Sequence, residues 1–137
     1  MRKSILTIIA AIVTVLAAGS FSDVFSSSIE LGVNDTRINI PWSQSQSDLE
    51  FVIPVYSTGS WKCRIAAGGE WLTLDRSGGS GRGYIHCNAD ANLTDIPRVV
   101  CVEIYNDNLR IPVYVVSSCS TYAASDLDDA DLDNYLI

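Results

Sequence analysis

The sequence predicts an all-β chain, a sandwich or barrel of about seven to eight short antiparallel strands. Three observations carry that expectation. Between Ile29 and Val116 no helical period is sustained, and the apolar residues alternate or come in β-branched runs. Polar turn clusters interrupt those runs at near-regular intervals. The last two runs also fit one another as a hairpin, residue by residue. With 137 residues, 47% of them hydrophobic, the chain can bury one core and has little room for a second.

Ile29–Val33 and Thr36–Pro41 are the first two strand candidates, and the polar stretch Ser43–Asp48 separates them from Leu49–Tyr56. Pro54 lacks an amide hydrogen, which marks that third run as an edge or an irregular strand. After the turn Ser57-Thr58-Gly59-Ser60, Trp61, Cys63 and Ile65 alternate with Lys62 and Arg64 across Trp61–Ala66. Leu72–Asp75 follows. Ser77-Gly78-Gly79-Ser80-Gly81 lacks both the G-x-x-x-x-G-K-[ST] arrangement and a following helix, so it reads as a flexible connection between strands. In Gly83–Ala89 the residues Ile85, Cys87 and Ala89 alternate with Tyr84, His86 and Asn88. Arg98–Tyr105 and Leu109–Val116 meet about the tip Asn106-Asp107-Asn108, with Ile104 opposite Ile111, Val102 opposite Val113 and Val100 opposite Val115. All six inward positions are then β-branched, and a one-residue slip would expose them all. Pro112, on the other face, again marks an edge or irregularity.

The two ends differ in kind. Met1-Arg2-Lys3-Ser4 is basic, Ile5–Ala18 is uncharged and apolar, and small residues follow at Gly19 and Ser20. That is the layout of a secretory signal, with cleavage before Phe21 or before Ser20. The apolar run falls short of the ~20 residues that span a bilayer, and no Cys follows it for lipid attachment. Residues 1–20 are therefore expected to direct export to the periplasm, the cell surface or the medium, with no membrane span after cleavage. Residues 21–35 form a linker and first strand, 36–117 the sandwich and 118–137 an acidic tail. Removing the signal leaves 7 basic and 16 acidic residues, a net −9. Asp126, Asp128, Asp129, Asp131 and Asp133 supply five of those charges, so the tail reads as solvated, a short helix at most, with Leu127, Leu132, Leu136 and Ile137 available for docking.

Export bears on Cys63, Cys87, Cys101 and Cys119. An even number of cysteines in an oxidising compartment usually pairs, and four allow three connectivities. Strand parity turns Cys63 and Cys87 inward and Cys101 outward. It favours a Cys63–Cys87 bridge between two layers, with Cys101 and Cys119 paired or free.

Several chemistries find no footing. The acidic balance argues against nucleic acid. The tail lacks the Gly and Glu of a calcium loop, and one His without a C-x-x-C argues against zinc, so neither metal nor cofactor is expected. His86 is the sole His base, without a G-x-S-x-G elbow; Glu50, Glu70 and Glu103 supply enough carboxylates for a hydrolytic pair by count, but a domain this small has few loops from which to build an enclosed cleft. A non-catalytic protein follows. Trp61 and Trp71 read as core residues, while Trp42 after Pro41 reads as exposed. Sugars are recognised by aromatic faces together with amide, carboxylate and guanidinium groups. Tyr84, His86 and Asn88 lie on one outward strand face, which Arg82 or Arg98 extends, and with Trp42 they are the candidate ligand residues.

One ordered set of short motifs is more specific. Ser57-Thr58-Gly59-Ser60-Trp61 leads to Glu70-Trp71-Leu72-Thr73-Leu74 and then to the Ser/Gly turn at 77–81. Tyr84-Ile85-His86-Cys87-Asn88-Ala89, Asn92 and Arg98-Val99-Val100-Cys101-Val102-Glu103-Ile104 follow. Roughly Ile38 to Val116 thereby resembles the BACON domain, the Bacteroidetes-associated carbohydrate-binding, often N-terminal domain. Val115-Val116-Ser117-Ser118 stands where that family often ends on Gln, and the four Cys are outside its pattern. The resemblance implies an immunoglobulin-like β-sandwich in an exported bacterial protein that binds a glycan or mucin-like glycoprotein. The alternative it implies is a spacer or a module that engages a cell-surface protein partner.

Overall fold

The structure is a computed structural model and describes residues 30–43 and 49–136. Among these it forms nine strands: β1 (Leu31–Val33), β2 (Arg37–Ile40), β3 (Glu50–Ser57), β4 (Ser60–Ala67), β5 (Leu72–Leu74), β6 (Gly78–Ser80), β7 (Gly83–Ala89), β8 (Arg98–Tyr105) and β9 (Arg110–Ser117). One sheet has the order β1-β3-β7-β5 and the other β2-β9-β8-β4-β6. The strand order A-B-E-D against G-F-C defines an immunoglobulin-type sandwich, and β1-β3-β7-β5 against β9-β8-β4 reproduces it. The pairing is not wholly antiparallel as expected, because β2 runs parallel to β9 with Ile38 opposite Val115. Residues 34–36 carry the chain from the edge of one sheet to the edge of the other without reversing it. The expected export signal lies outside the described residues.

The β8–β9 hairpin has the predicted register, with Ile104 opposite Ile111, Val102 opposite Val113 and Val100 opposite Val115. All six side chains are at most 1% exposed and line one core with Ile53, Val55, Trp61, Ile85 and Leu72. Pro54 and Pro112 sit in interior strands, yet each lies where its outer neighbour is missing. β1 ends opposite Val55, and β2 begins opposite Tyr114. Locally each proline is on an edge, so its absent N–H leaves no ladder bond unmade.

β6 differs from the expected loop. Its glycines pair with β4 across Trp61, and their missing side chains are what make the pairing fit. A Cβ on Gly79 would stand 2.7 Å from Trp61 Cζ2, and one on Gly78 would stand 2.5 Å from the Trp61 carbonyl oxygen. Gly81, at φ +68°, turns the chain so that its carbonyl accepts the Trp61 indole N–H at 2.8 Å. The glycine run is a cradle for the buried tryptophan.

The acidic segment also departs from a solvated tail. Two short 3-10 helices, Ala124–Asp126 and Asp129–Tyr135, lay Ala124, Leu127 and Leu132 against Val99 and Val116 on the outer face of the five-stranded sheet. Leu136 bridges to Val99, and the Arg37 guanidinium donates to the Asp129 carboxylate and to the carbonyls of Ala124 and Leu127. Aspartates face outward while leucines are buried, which is why the segment holds to the sheet despite its charge. Each buried leucine contributes on the order of 1.5–3 kcal/mol of transfer free energy.

The cysteines depart from the expected bridge as well. Cys63, Cys87, Cys101 and Cys119 are four buried free thiols. Cys63 and Cys87 face the core as parity predicted, and Cys101 lies outside its sheet, opposite Tyr114. Each sulfur except that of Cys101 has a carbonyl partner: Cys63 donates to Arg76 O at 3.2 Å, Cys87 to Ile85 O at 3.6 Å and Cys119 to Asp95 O at 3.3 Å. Burial, with Asp75 and then Cys63 adding repulsion, pushes Cys87 up to about 12. A thiol held protonated is a poor nucleophile for exchange.

Candidate functional site

The outer face of the four-stranded sheet is built by alternation on three adjacent strands. With Ile53 and Val55 turned into the core, β3 presents Glu50, Val52, Pro54 and Tyr56 outward. With Ile85 and Cys87 inward, β7 presents Tyr84, His86 and Asn88. The ladder then sets Asn88 opposite Glu50, His86 opposite Val52 and Tyr84 opposite Pro54, while Thr73 of β5 meets Asn88 from the other side. Tyr84 is 45% exposed and Val52 41%. An open depression of about 330 Å³ is lined by Glu50, Val52, Thr73, Asp75, His86 and Asn88 among others.

Local bonds fix the polar groups. The Asn88 amide donates to Glu50 Oε2 at 3.3 Å. Asp75 Oδ1 accepts the backbone N–H of His86 at 2.9 Å, and Asp75 N–H returns a bond to His86 O at 3.0 Å. The Arg82 guanidinium lies 4.9 Å from the centroid of the Tyr56 ring, at the Tyr84 end. Apolar surface, an imidazole, an amide and two carboxylates thus share one shallow face. These groups can hold a polyhydroxylated ring by C–H contact and by hydrogen bonds to its hydroxyls.

Of the four candidate ligand residues, Tyr84, His86 and Asn88 come together and Trp42 does not join them. Trp42 follows β2 of the other sheet, is 42% exposed and donates its indole N–H to Asn92 O at 3.1 Å. Around it, Leu93, Ile96 and Tyr122 are also exposed on loops at that end of the sandwich. Asn92 is 2% exposed and organises this end, donating to Ile96 O and Ser118 O and accepting from Thr94. Arg98 does not extend the row; its guanidinium lies 4.4 Å from the Trp71 ring and donates to Asp90 O. Burial lowers the Arg98 pKa, and Asp90 partly offsets this.

Glu50, Val52, Thr73 and Asp75 complete the face, and sequence reading did not assign them to it. Their outward parity was readable; which strands flank β7 was not. Glu50 and Glu103 stand on opposite outer faces of the sandwich, so these two carboxylates form no pair. Among the described residues, no group of three or more His, Cys, Asp or Glu is placed to hold a metal ion, and no helix is long and apolar enough to cross a membrane.

No family model matches the chain, and no curated protein matches it. Among solved structures it is similar to a Bacteroides ovatus GH5 xyloglucanase in complex with a XXXG heptasaccharide, with a TM-score of 0.56 and 18% identity. The alignment covers 65% of this chain and 19% of that one, so the chain spans about a fifth of that enzyme's length. The likeness is one of fold.

Proposed function

We propose that this chain is a non-catalytic, exported β-sandwich module that binds glycan or mucin-like glycoprotein through the outer face of its four-stranded sheet. The observation that carries the reading is an open depression lined by exposed Val52 with His86, Asn88, Glu50, Thr73 and Asp75, with exposed Tyr84 next along β7 on the same outer face. The motifs resembling a BACON domain and the signal-like residues 1–20 support the same reading from the sequence. A shallow, solvent-open face suits binding to an extended saccharide better than enclosing a bond for hydrolysis. Pull-down on immobilised mucin tests it: retention should fall in a Tyr84→Ala/His86→Ala variant, and unchanged retention removes the site assignment.

A second reading, a module that engages a cell-surface protein, is favoured by the exposed Trp42, Leu93, Ile96 and Tyr122 at one end of the sandwich. The acidic segment no longer supports it, because its leucines are occupied by the chain's own sheet. A Trp42→Ser/Leu93→Ser variant that loses a co-purifying protein while keeping mucin retention would establish it.

A further inference from the structure

The outer face of the five-stranded sheet is divided. The acidic segment covers Val99 and Val116, and the other half of the face carries a cationic cluster around Tyr105. The ladder sets Lys62 and Arg110 on either side of Tyr105, and Arg64 opposite Glu103 one step along. Both guanidiniums lie 5.1 Å from the Tyr105 ring centroid. A single oxygen, Glu103 Oε1, accepts from Arg64 Nε at 3.0 Å, Arg64 Nη2 at 2.8 Å and Arg110 Nη1 at 3.1 Å. One carboxylate oxygen therefore orients two guanidiniums, whose side chains remain 56% and 60% exposed.

Beside this cluster lies an open groove of about 480 Å³, lined by Ser60, Lys62, Tyr105, Asn106, Asp107 and Asn108 among others. Lys62, Arg64 and Arg110 balance Glu103, Asp107 and the Glu30 carboxylate that accepts from Asn108 at 2.9 Å, so the locality is neutral in a chain whose formal charge is −7. Guanidiniums pre-positioned by a carboxylate and a ring present their remaining N–H groups at little entropic cost. Such a fork matches a carboxylate or a sulfate, and the polar groove beside it matches the hydroxyls of the sugar that carries it.

We infer that the Lys62–Arg64–Tyr105–Arg110 cluster and its groove form a second saccharide site, specific for a sulfated or carboxylated sugar. It stands on the opposite face from Tyr84 and rests on the reading of the chain as glycan-binding. Neutral chains engage the first face, and acidic ones engage the second. In a protein that is acidic overall, a polyanion is held best where cations are clustered and pre-oriented.

Titration of the folded protein with chondroitin sulfate, polygalacturonate, neutral dextran and inorganic sulfate tests the site. The two acidic polymers should bind, in a manner weakened by salt. Affinity for them should fall at least about tenfold in Arg64→Ala/Arg110→Ala and fall also in Lys62→Glu, a surface change that leaves the Arg pair intact. Glu103→Gln keeps an oxygen that can accept from both guanidiniums while removing the competing charge, so it should raise affinity, whereas Glu103→Ala, which removes the orienting acceptor as well, should raise it less. Tyr84→Ala/His86→Ala should leave it unchanged while removing neutral-glycan binding, which separates the two sites. Unchanged affinity in both cationic variants overturns the proposal. So does acidic-polymer binding abolished by inorganic sulfate at equal anion concentration, since that would be an ion site rather than a saccharide site.

Discussion

Val52 stands directly opposite His86 in the β3–β7 ladder, on the outer face of the four-stranded sheet. The pair joins an exposed apolar side chain to an imidazole across one strand spacing. Tyr84 follows on one side and Asn88 on the other. An edge-on aromatic or amide alone would be ordinary sandwich surface; the juxtaposition with Val52 makes a continuous mixed platform.

The acidic segment should behave as part of the fold. Leu132 is 4% exposed against Val99 and Val116, so Leu132→Ala should destabilise by about 2–4 kcal/mol. Urea unfolding reads this directly. A loss under about 0.5 kcal/mol would mean that the segment is solvated after all.

The Trp61 cradle gives a second test. Gly79→Ala places a methyl 2.7 Å from Trp61 Cζ2, and Gly59→Ala meets nothing within 4 Å. Overpacking at Gly79 should cost about 1–3 kcal/mol, while Gly59→Ala should be near neutral. Equal effects at the two positions would contradict the packing of β6 on the tryptophan.

The buried thiols set the alkaline limit. Cys87 is raised to about 12 by burial, Asp75 and Cys63, and Cys101 to about 11 by burial, Glu103 and Asp133, both from 9.0. The unfolded chain therefore releases these protons at lower pH than the folded chain. Their stabilisation is complete below about pH 9 and is lost as pH rises through 11–12. Melting temperature should fall across that window, and less steeply in Cys87→Ala/Cys101→Ala measured as change from each protein's own value at pH 8. Thiol titration in denaturant without reductant should count four; a lower count would reveal a bridge.

The sequence carried much of this fold because its strands obey period-two alternation, and the β8–β9 register followed from the six β-branched residues alone. β6 was invisible because glycine has no side chain with which to signal burial, and its role depends on the ring of Trp61, distant in sequence. The docking of the acidic segment was hidden likewise, since five aspartates dominate its composition while Leu127 and Leu132 do the packing. Tyr84, His86 and Asn88 were legible as one face of one strand. Val52, Glu50 and Thr73 were not, because sheet order is a tertiary property.

The central claim is that the Tyr84 face binds glycan. Isothermal titration of the folded protein with neutral mucin oligosaccharides tests it most directly, comparing wild type with Tyr84→Ala/His86→Ala at matched melting temperature. Both side chains are exposed, so the variant should fold normally. The account predicts saturable heat in the wild type and its loss in the variant. Identical titrations of the two proteins, or no heat from either, would contradict it.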